Sequence, residues 1–174
     1  MAGSLSWCAL QIRPRTERIT TELLSQKGYE PFLPTYVLRR RWSDRVKVCN
    51  LMLFPGYVFC RLDPLVRLPV LTTPGVISIV GLGKEPEAIP EKQIEDVRQI
   101  VQSATAAEPW PYLECGDYVR ISDGPLRGVE GILALVKNSC KVVVSITLLQ
   151  RSVAVEVDRR AVVPLPVTRH FPAA

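Results

Sequence analysis

The chain has 174 residues, 47% of them apolar, which is enough for a packed core and argues against global disorder. Its net charge of +5 is mildly basic and only tilts the balance toward a polyanionic partner. No stretch approaches the ~20 consecutive apolar residues of a membrane helix, so no membrane partner is expected.

Along the chain, residues 5–13 alternate loosely and have strand composition. Pro14 stands where a helix can begin, because a first-turn residue needs no amide hydrogen. Ile19, Leu23 and Leu24 give that helix an apolar stripe, and Gly28 stops it. Residues 30–34 resume as strand. Residues 36–49 alternate apolar and basic side chains around a turn at Ser43–Asp44, which predicts a hairpin with a charged, solvated tip. Residues 53–62 read as a buried strand entered through a Pro55–Gly56 kink. A short helix is expected from Asp63–Pro64 to about Leu71, and a strand over 75–80. Residues 81–90 are turn-rich. The helix over 91–103 is the clearest: Ile94, Val97, Ile100 and Val101 fall on one face, which leaves Glu95 and Asp96 on the exposed side. Such interleaving predicts an α+β sandwich with helices on an antiparallel sheet.

Residues 104–112 have the small residues and prolines of an extended linker. Beyond it, short β-branched runs broken by Gly, Asp and Asn predict a small β-barrel. The expected division is therefore 1–103, a linker at 104–112, a barrel domain at 113–165 and a loose tail at 166–174.

The basic charge is concentrated early. Residues 1–62 hold ten Lys/Arg against four Asp/Glu, whereas residues 63–112 are net acidic. Cys8, Cys49, Cys60, Cys115 and Cys140 form no CxxC pair, and the single histidine, His170, is in the tail. That pattern argues against a zinc site and for reduced, mostly buried thiols in a cytoplasmic protein. The N-terminus has no basic-then-apolar leader pattern. No Gly-rich phosphate loop, H-E-x-x-H or G-x-S-x-G motif is present, so neither catalysis nor a cofactor is expected.

Two segments carry a family resemblance. The first is Phe54-Pro55-Gly56-Tyr57-Val58-Phe59, preceded by Trp7-Cys8-Ala9-Leu10 and followed by Thr73-Pro74-Gly75-Val76 and Ile89-Pro90. In that order it is similar to the N-terminal (NGN) domain of NusG-type transcription factors. The second is Gly116-Asp117-Tyr118-Val119-Arg120-Ile121 followed by Asp123-Gly124-Pro125-Leu126-Arg127-Gly128-Val129-Glu130-Gly131. It resembles the KOW motif of their C-terminal, SH3-like barrel. Trp42-Ser43-Asp44-Arg45, Leu53 to Tyr57 and Leu148 to Val153 look like the specialised UpxY/RfaH-like branch.

The resemblance implies an elongation factor, monomeric and not an enzyme, that binds RNA polymerase, suppresses pausing and promotes antitermination. It implies that Phe54, Pro55, Gly56, Tyr57 and Trp7 grip the clamp helices of the largest polymerase subunit. The chemistry is apolar: a bend fixed by Pro and Gly presents aromatic rings to a helix. Phe59 reads as core. Arg67 and Thr72 fall where RfaH-like relatives reach the second-largest subunit. Arg13, Arg15, Arg18 and Thr73 match the face that contacts non-template DNA in those relatives, and Arg39, Arg40, Arg41, Arg45 and Lys47 add charge around the hairpin. In the barrel, Gly124, Pro125, Gly128 and Gly131 read as structural. Leu148, Leu149 and Arg151 lie on the loop implied to bind the ribosomal protein NusE or the termination factor Rho. Valine-dense segments at 140–146 and 152–157 favour strand over helix there. Two alternatives remain open: a housekeeping NusG-like factor that couples to Rho or the ribosome, and a KOW-type ribosomal RNA-binding protein.

Overall fold

A computed structural model describes residues 4–41, 45–83, 85–103, 105–113, 116–136 and 139–166. The expected turn at Ser43–Asp44, Cys115, and the tail from 167, including His170, lie outside the described residues. The first part of the chain forms a four-stranded antiparallel sheet in the order β2-β5-β1-β6. Its strands are β1 (Ser6–Ile12), β2 (Glu30–Phe32), β5 (Tyr57–Leu62) and β6 (Val76–Ile79). A separate hairpin pairs β3 (Thr35–Arg41) with β4 (Val46–Met52). A two-residue ribbon joins β7 (Gly81–Leu82) to β8 (Glu85–Pro86), inside the stretch expected to be only turns.

The period-2 alternation of β1 and β5 sorts side chains to two faces. Cys8, Leu10 and Ile12 join Val58, Cys60 and Leu62 on one face, together with Leu24 of helix α1 (Glu17–Gln26) and Val70 of helix α2 (Leu68–Leu71). Trp7, Ala9 and Phe59 turn to the other face, where helix α3 (Glu91–Gln102) contributes Ile94, Val97 and Ile100. The sheet is therefore sandwiched between helices.

Several boundaries differ from expectation. Helix α1 starts at Glu17, after a turn through Pro14 in which Arg15 takes φ +71°. Its buried residues are Glu17, Thr20 and Leu24, while Ile19 is exposed. The amphipathic stripe is thus rotated, because Thr20 is needed inside to donate to the Pro74 carbonyl at 3.0 Å. Residues 53–56 are turn rather than strand, and α2 is confined to four residues.

The second part is a six-stranded antiparallel barrel sheet ordered β14-β10-β11-β12-β13-β9. It comprises β9 (Ala107–Trp110), β10 (Tyr118–Ile121), β11 (Glu130–Val136), β12 (Ser139–Ile146), β13 (Arg151–Val157) and β14 (Val162–Pro164). Strand β9 lies in the stretch expected as linker and pairs with β13 from Ser152↔Trp110 to Val155↔Ala107. Extended, Pro-containing chain suits an edge strand, where a missing amide hydrogen costs no ladder bond. Only residues 103–106 therefore separate α3 from the barrel. The valine-rich segments form strands, as their β-branching favours. One contiguous buried cluster runs from Trp7, Phe54 and Phe59 through α3 into Val119, Ile121, Val142, Val144 and Val155 of the barrel.

Candidate functional site

Phe54-Pro55-Gly56-Tyr57 is a β-turn closed by the Tyr57 N–H donating to the Phe54 carbonyl at 3.1 Å. Proline at its second position and glycine with φ +83° at its third give the type II pattern, which a side-chain-bearing residue in place of Gly56 would strain. The turn is pinned from two sides. Gly56 accepts from the Ile12 N–H at 2.8 Å, and its own N–H donates to Glu17 Oε1 at 3.2 Å. The other Glu17 oxygen is buried and meets no donor among the described residues.

The bend separates its aromatic rings by role. Phe54 was expected at an interface, yet it is 1% exposed and packs edge-on against Phe59, with ring centres 5.3 Å apart. Trp7, also expected at the surface, is 3% exposed. Both are core supports because β1 and the turn direct them under α3. The Arg98 guanidinium closes over Trp7 and Phe32, 5.2 and 5.3 Å from their ring centres, held by Glu30 at 3.1 Å. Of the three expected aromatic contacts only Tyr57 is half-exposed, and Pro55 is exposed beside it.

The expected nucleic-acid set divides similarly. Arg13, Arg15 and Arg18 are exposed, and Arg18 Nη2 donates to the Asn50 carbonyl at the base of the hairpin at 3.2 Å. Thr73 is buried, against expectation: its hydroxyl donates to the Pro69 carbonyl at 3.1 Å and accepts from Lys27 Nζ at 2.8 Å. Thr72 is exposed and Arg67 half-buried, on either side of α2. On the hairpin Val37, Val46 and Val48 are about 60% exposed and alternate with exposed Arg39, Arg41, Arg45 and Lys47.

In the barrel Gly124 and Gly128 adopt φ +81° and +92° at the turn between β10 and β11. A Cβ on Gly131 would meet the Val143 carbonyl oxygen at 2.3 Å, so its role is close strand packing. Pro125 is exposed on the same turn. Leu148 and Leu149 sit on the 3-10 turn Thr147–Leu149 and are half-buried against the shared core rather than free. Arg151 stands over Tyr57, its guanidinium 5.3 Å from the ring centre.

Helix α3 makes the polar part of this seam. Lys92 Nζ donates to the Gly128 carbonyl at 3.0 Å, and Gln99 Nε2 donates to those of Pro125 and Arg127 at 3.1 and 2.9 Å. Gln93 reads Thr147 twice: its amide nitrogen donates to Oγ1 at 3.1 Å and its oxygen accepts the Thr147 N–H at 3.2 Å. Asp96 was expected on the exposed side of the helix; it is 4% exposed, paired with Lys92 and facing the Glu130 N–H. Burial pushes its carboxyl up from the ordinary value, opposed by Lys92. Sequence reasoning missed this set. The only signal was polar side chains at 92, 96 and 99, a helical i, i+4, i+7 row beside the apolar stripe. Such a row also describes an ordinary solvated face.

Among the described residues no group of three or more His, Cys, Asp or Glu could hold a metal ion, and no helix is long and apolar enough to cross a membrane.

The model of the family described as "Transcription termination factor nusG" matches residues 5–98, which is 94 of 174 residues. The transcription termination/antitermination protein NusG of Campylobacter jejuni is 29% identical over 165 residues, covering 87% of this chain and 92% of that protein. The protein of the same name from Thermus thermophilus is 27% identical over 159 residues, covering 84% and 86%. A solved structure described as "Domain interaction in Thermotoga maritima NusG" superposes with a TM-score of 0.53 at 19% identity, covering 94% of this chain and 98% of that one.

Proposed function

The chain belongs to the NusG family and is a NusG-type transcription factor; from that premise we propose that it grips transcribing RNA polymerase through the aromatic turn and suppresses pausing, as a specialised antiterminator of long operons. The observation that carries the reading is the position of Tyr57. It is the aromatic side chain of the Phe54–Tyr57 turn left half-exposed, on a bend pinned by hydrogen bonds and backed by the buried Phe54–Phe59 pair. A rigid, half-apolar anchor loses little conformational freedom on binding, which suits a helix-gripping hot spot. Phe54 and Trp7 act beneath it as supports. Exposed Thr72, with Arg67, offers a second polymerase contact, and exposed Arg13, Arg15 and Arg18 offer a path for non-template DNA.

The factor acts by population shift. It binds the active polymerase conformation more tightly than the paused one, and the equilibrium moves by that difference. No covalent step is required. The 147–151 loop, through Leu148, Leu149 and Arg151, is the surface for NusE or Rho once it is free of the seam.

Transcription of a long leader template tests the reading. Full-length protein should lengthen transcripts and shorten pauses, and Tyr57→Ala should remove both effects. Unchanged pausing with either protein would reject it. A second reading is a general factor that couples to Rho; the names of the relatives above include termination as well as antitermination. It predicts increased Rho-dependent termination in the same assay.

A further inference from the structure

The hydrogen bonds of the 54–57 turn differ in what they fix. The Tyr57 N–H bond to the Phe54 carbonyl and the Ile12 N–H bond to the Gly56 carbonyl hold the outer peptides, and a type I turn would keep both. Types I and II differ in the central peptide, here Pro55–Gly56. It turns over as ψ of the second residue and φ of the third change by about 150–170°. The Gly56 N–H belongs to that peptide, and it donates to Glu17 Oε1 at 3.2 Å. A trans peptide points its N–H and C=O in opposite directions, so the same bond turns the Pro55 carbonyl away from Glu17. Pro55 is exposed and Tyr57 half-exposed, so that carbonyl faces outward beside the ring.

The place of Glu17 is built. It is 4% exposed, it opens α1, and its own carbonyl accepts from the Thr21 hydroxyl at 2.7 Å. The segment before it is held as well. The Arg13 N–H donates to the Gly75 carbonyl at 2.9 Å, and the Thr16 hydroxyl donates to the Arg13 carbonyl at 2.8 Å. Between them Arg15 keeps a left-handed backbone, φ +71°, that its side chain disfavours. Glu17 Oε2 is buried and meets no donor among the described residues. A buried acceptor left unpaired lowers stability, and an apolar side chain would avoid that loss. A carboxylate offers what an apolar side chain does not: it accepts a hydrogen bond and cannot donate one. It favours the N–H that faces it and repels the carbonyl that a flipped turn would bring there.

Taking Tyr57 as the polymerase contact, we infer that Glu17 is a positioning residue of that contact. It holds the central peptide of the turn in the type II orientation and so presents the Pro55 carbonyl, beside the Tyr57 ring, as an acceptor for a donor side chain on the bound helix. The surface recognised is a helix with an apolar face and an arginine, lysine or amide side chain at its rim. The ring supplies buried area and the carbonyl supplies direction. A helix without the donor would bury the carbonyl unpaired and bind less tightly.

The test uses the full chain. NMR reads the turn type, because type II brings the Pro55 α-proton close to the Gly56 amide proton and type I does not. Glu17→Ala should weaken that proton contact and speed Gly56 amide exchange by about 2- to 10-fold. It should weaken binding to RNA polymerase in an elongation complex by about 2- to 10-fold, with protection of β1 and β5 unchanged. Glu17→Gln, which keeps an acceptor for the Gly56 N–H, should restore most of the loss. Gly56→Ala reaches the same peptide from the other side. Its Cβ meets nothing within 4 Å, so only the backbone preference changes, toward the flipped turn. It should weaken binding similarly, and Glu17→Ala added to it should weaken binding no further. A type II turn that survives in Glu17→Ala, or additive losses in the double variant, would overturn the selecting role of Glu17. A flipped turn with wild-type affinity would overturn the carbonyl contact. Tyr57→Ala tests the underlying reading separately. Weaker binding by Tyr57→Ala beside wild-type affinity in a flipped Glu17→Ala turn overturns the role of Glu17 alone, whereas wild-type affinity of Tyr57→Ala overturns the reading itself.

Discussion

The Arg151 guanidinium lies 5.3 Å from the centre of the Tyr57 ring, so the residue that ends the barrel loop caps the aromatic that ends the type II turn. Exposed cation–π contacts contribute about 0.5–1 kcal/mol. Arg151→Ala should therefore tighten polymerase binding by about 2- to 5-fold, because the cap competes with the partner. Titration of labelled polymerase with wild type and variant measures this, and weaker binding by the variant would mean that Arg151 belongs to the partner interface.

Phe54 and Tyr57 should separate cleanly in a stability measurement. Phe54 is buried and packs on Phe59, so Phe54→Ala should cost about 3–5 kcal/mol. Tyr57→Ala removes a half-exposed ring and should cost clearly less. Urea denaturation of the two variants checks the order. Binding data for Phe54→Ala carry meaning only where the variant is shown to be folded.

Asp96 gives the fold a pH dependence of known sign. Its carboxyl is raised in the folded state, by burial first, with Lys92 opposing and the Glu130 charge adding to it. Tyr118 across the seam is pushed up as well, by burial, then Glu130, then Asp96. A raised folded-state value means that the folded protein holds the proton more tightly. The stabilisation is complete below the ordinary carboxyl range and is lost as pH rises through the raised value. Asp96→Asn, which cannot ionise, should gain stability relative to wild type as pH increases above about 4. Thermal unfolding across a pH series measures the difference; a gap that narrows with rising pH would contradict the assignment.

Cys8 and Cys60 face each other across β1 and β5, both fully buried, with thiols pushed up by burial to about 11 and about 12. Neither should react with iodoacetamide at neutral pH in the native protein. Among the cysteines of the described residues, Cys49, half-exposed on the hairpin, should be modified first. Mass mapping after brief labelling checks the order.

The barrel glycines predict two grades of damage. Gly124→Ala meets open space but a left-handed backbone and should cost about 1–2 kcal/mol. Gly131→Ala drives a methyl group into the Val143 carbonyl and must shift a strand, so it should cost more. Melting temperatures of the two variants decide between them.

Much of the fold could be read from local chemistry. The Pro–Gly turn, the β-branched strands and the apolar stripe of α3 each state their own conformation within a few residues. What sequence left hidden was set by distant partners. Thr20 and Thr73 are inside because carbonyls of Pro74 and Pro69 await them. Ala107 to Trp110 form a strand because β13 offers an edge. Asp96 is buried because the barrel settles on α3. The same limit applies to the candidate site. The segment 54–57 was identifiable, but not which of its rings faces out, since that depends on the register of β1 and β5 and on the seam.

The most direct measurement compares wild type and Tyr57→Ala, each shown to be folded, for affinity to RNA polymerase in an elongation complex. Loss of an aromatic anchor that becomes buried on binding should weaken binding by about 10- to 100-fold. Equal affinity of the two proteins would contradict the assignment of this turn as the polymerase contact.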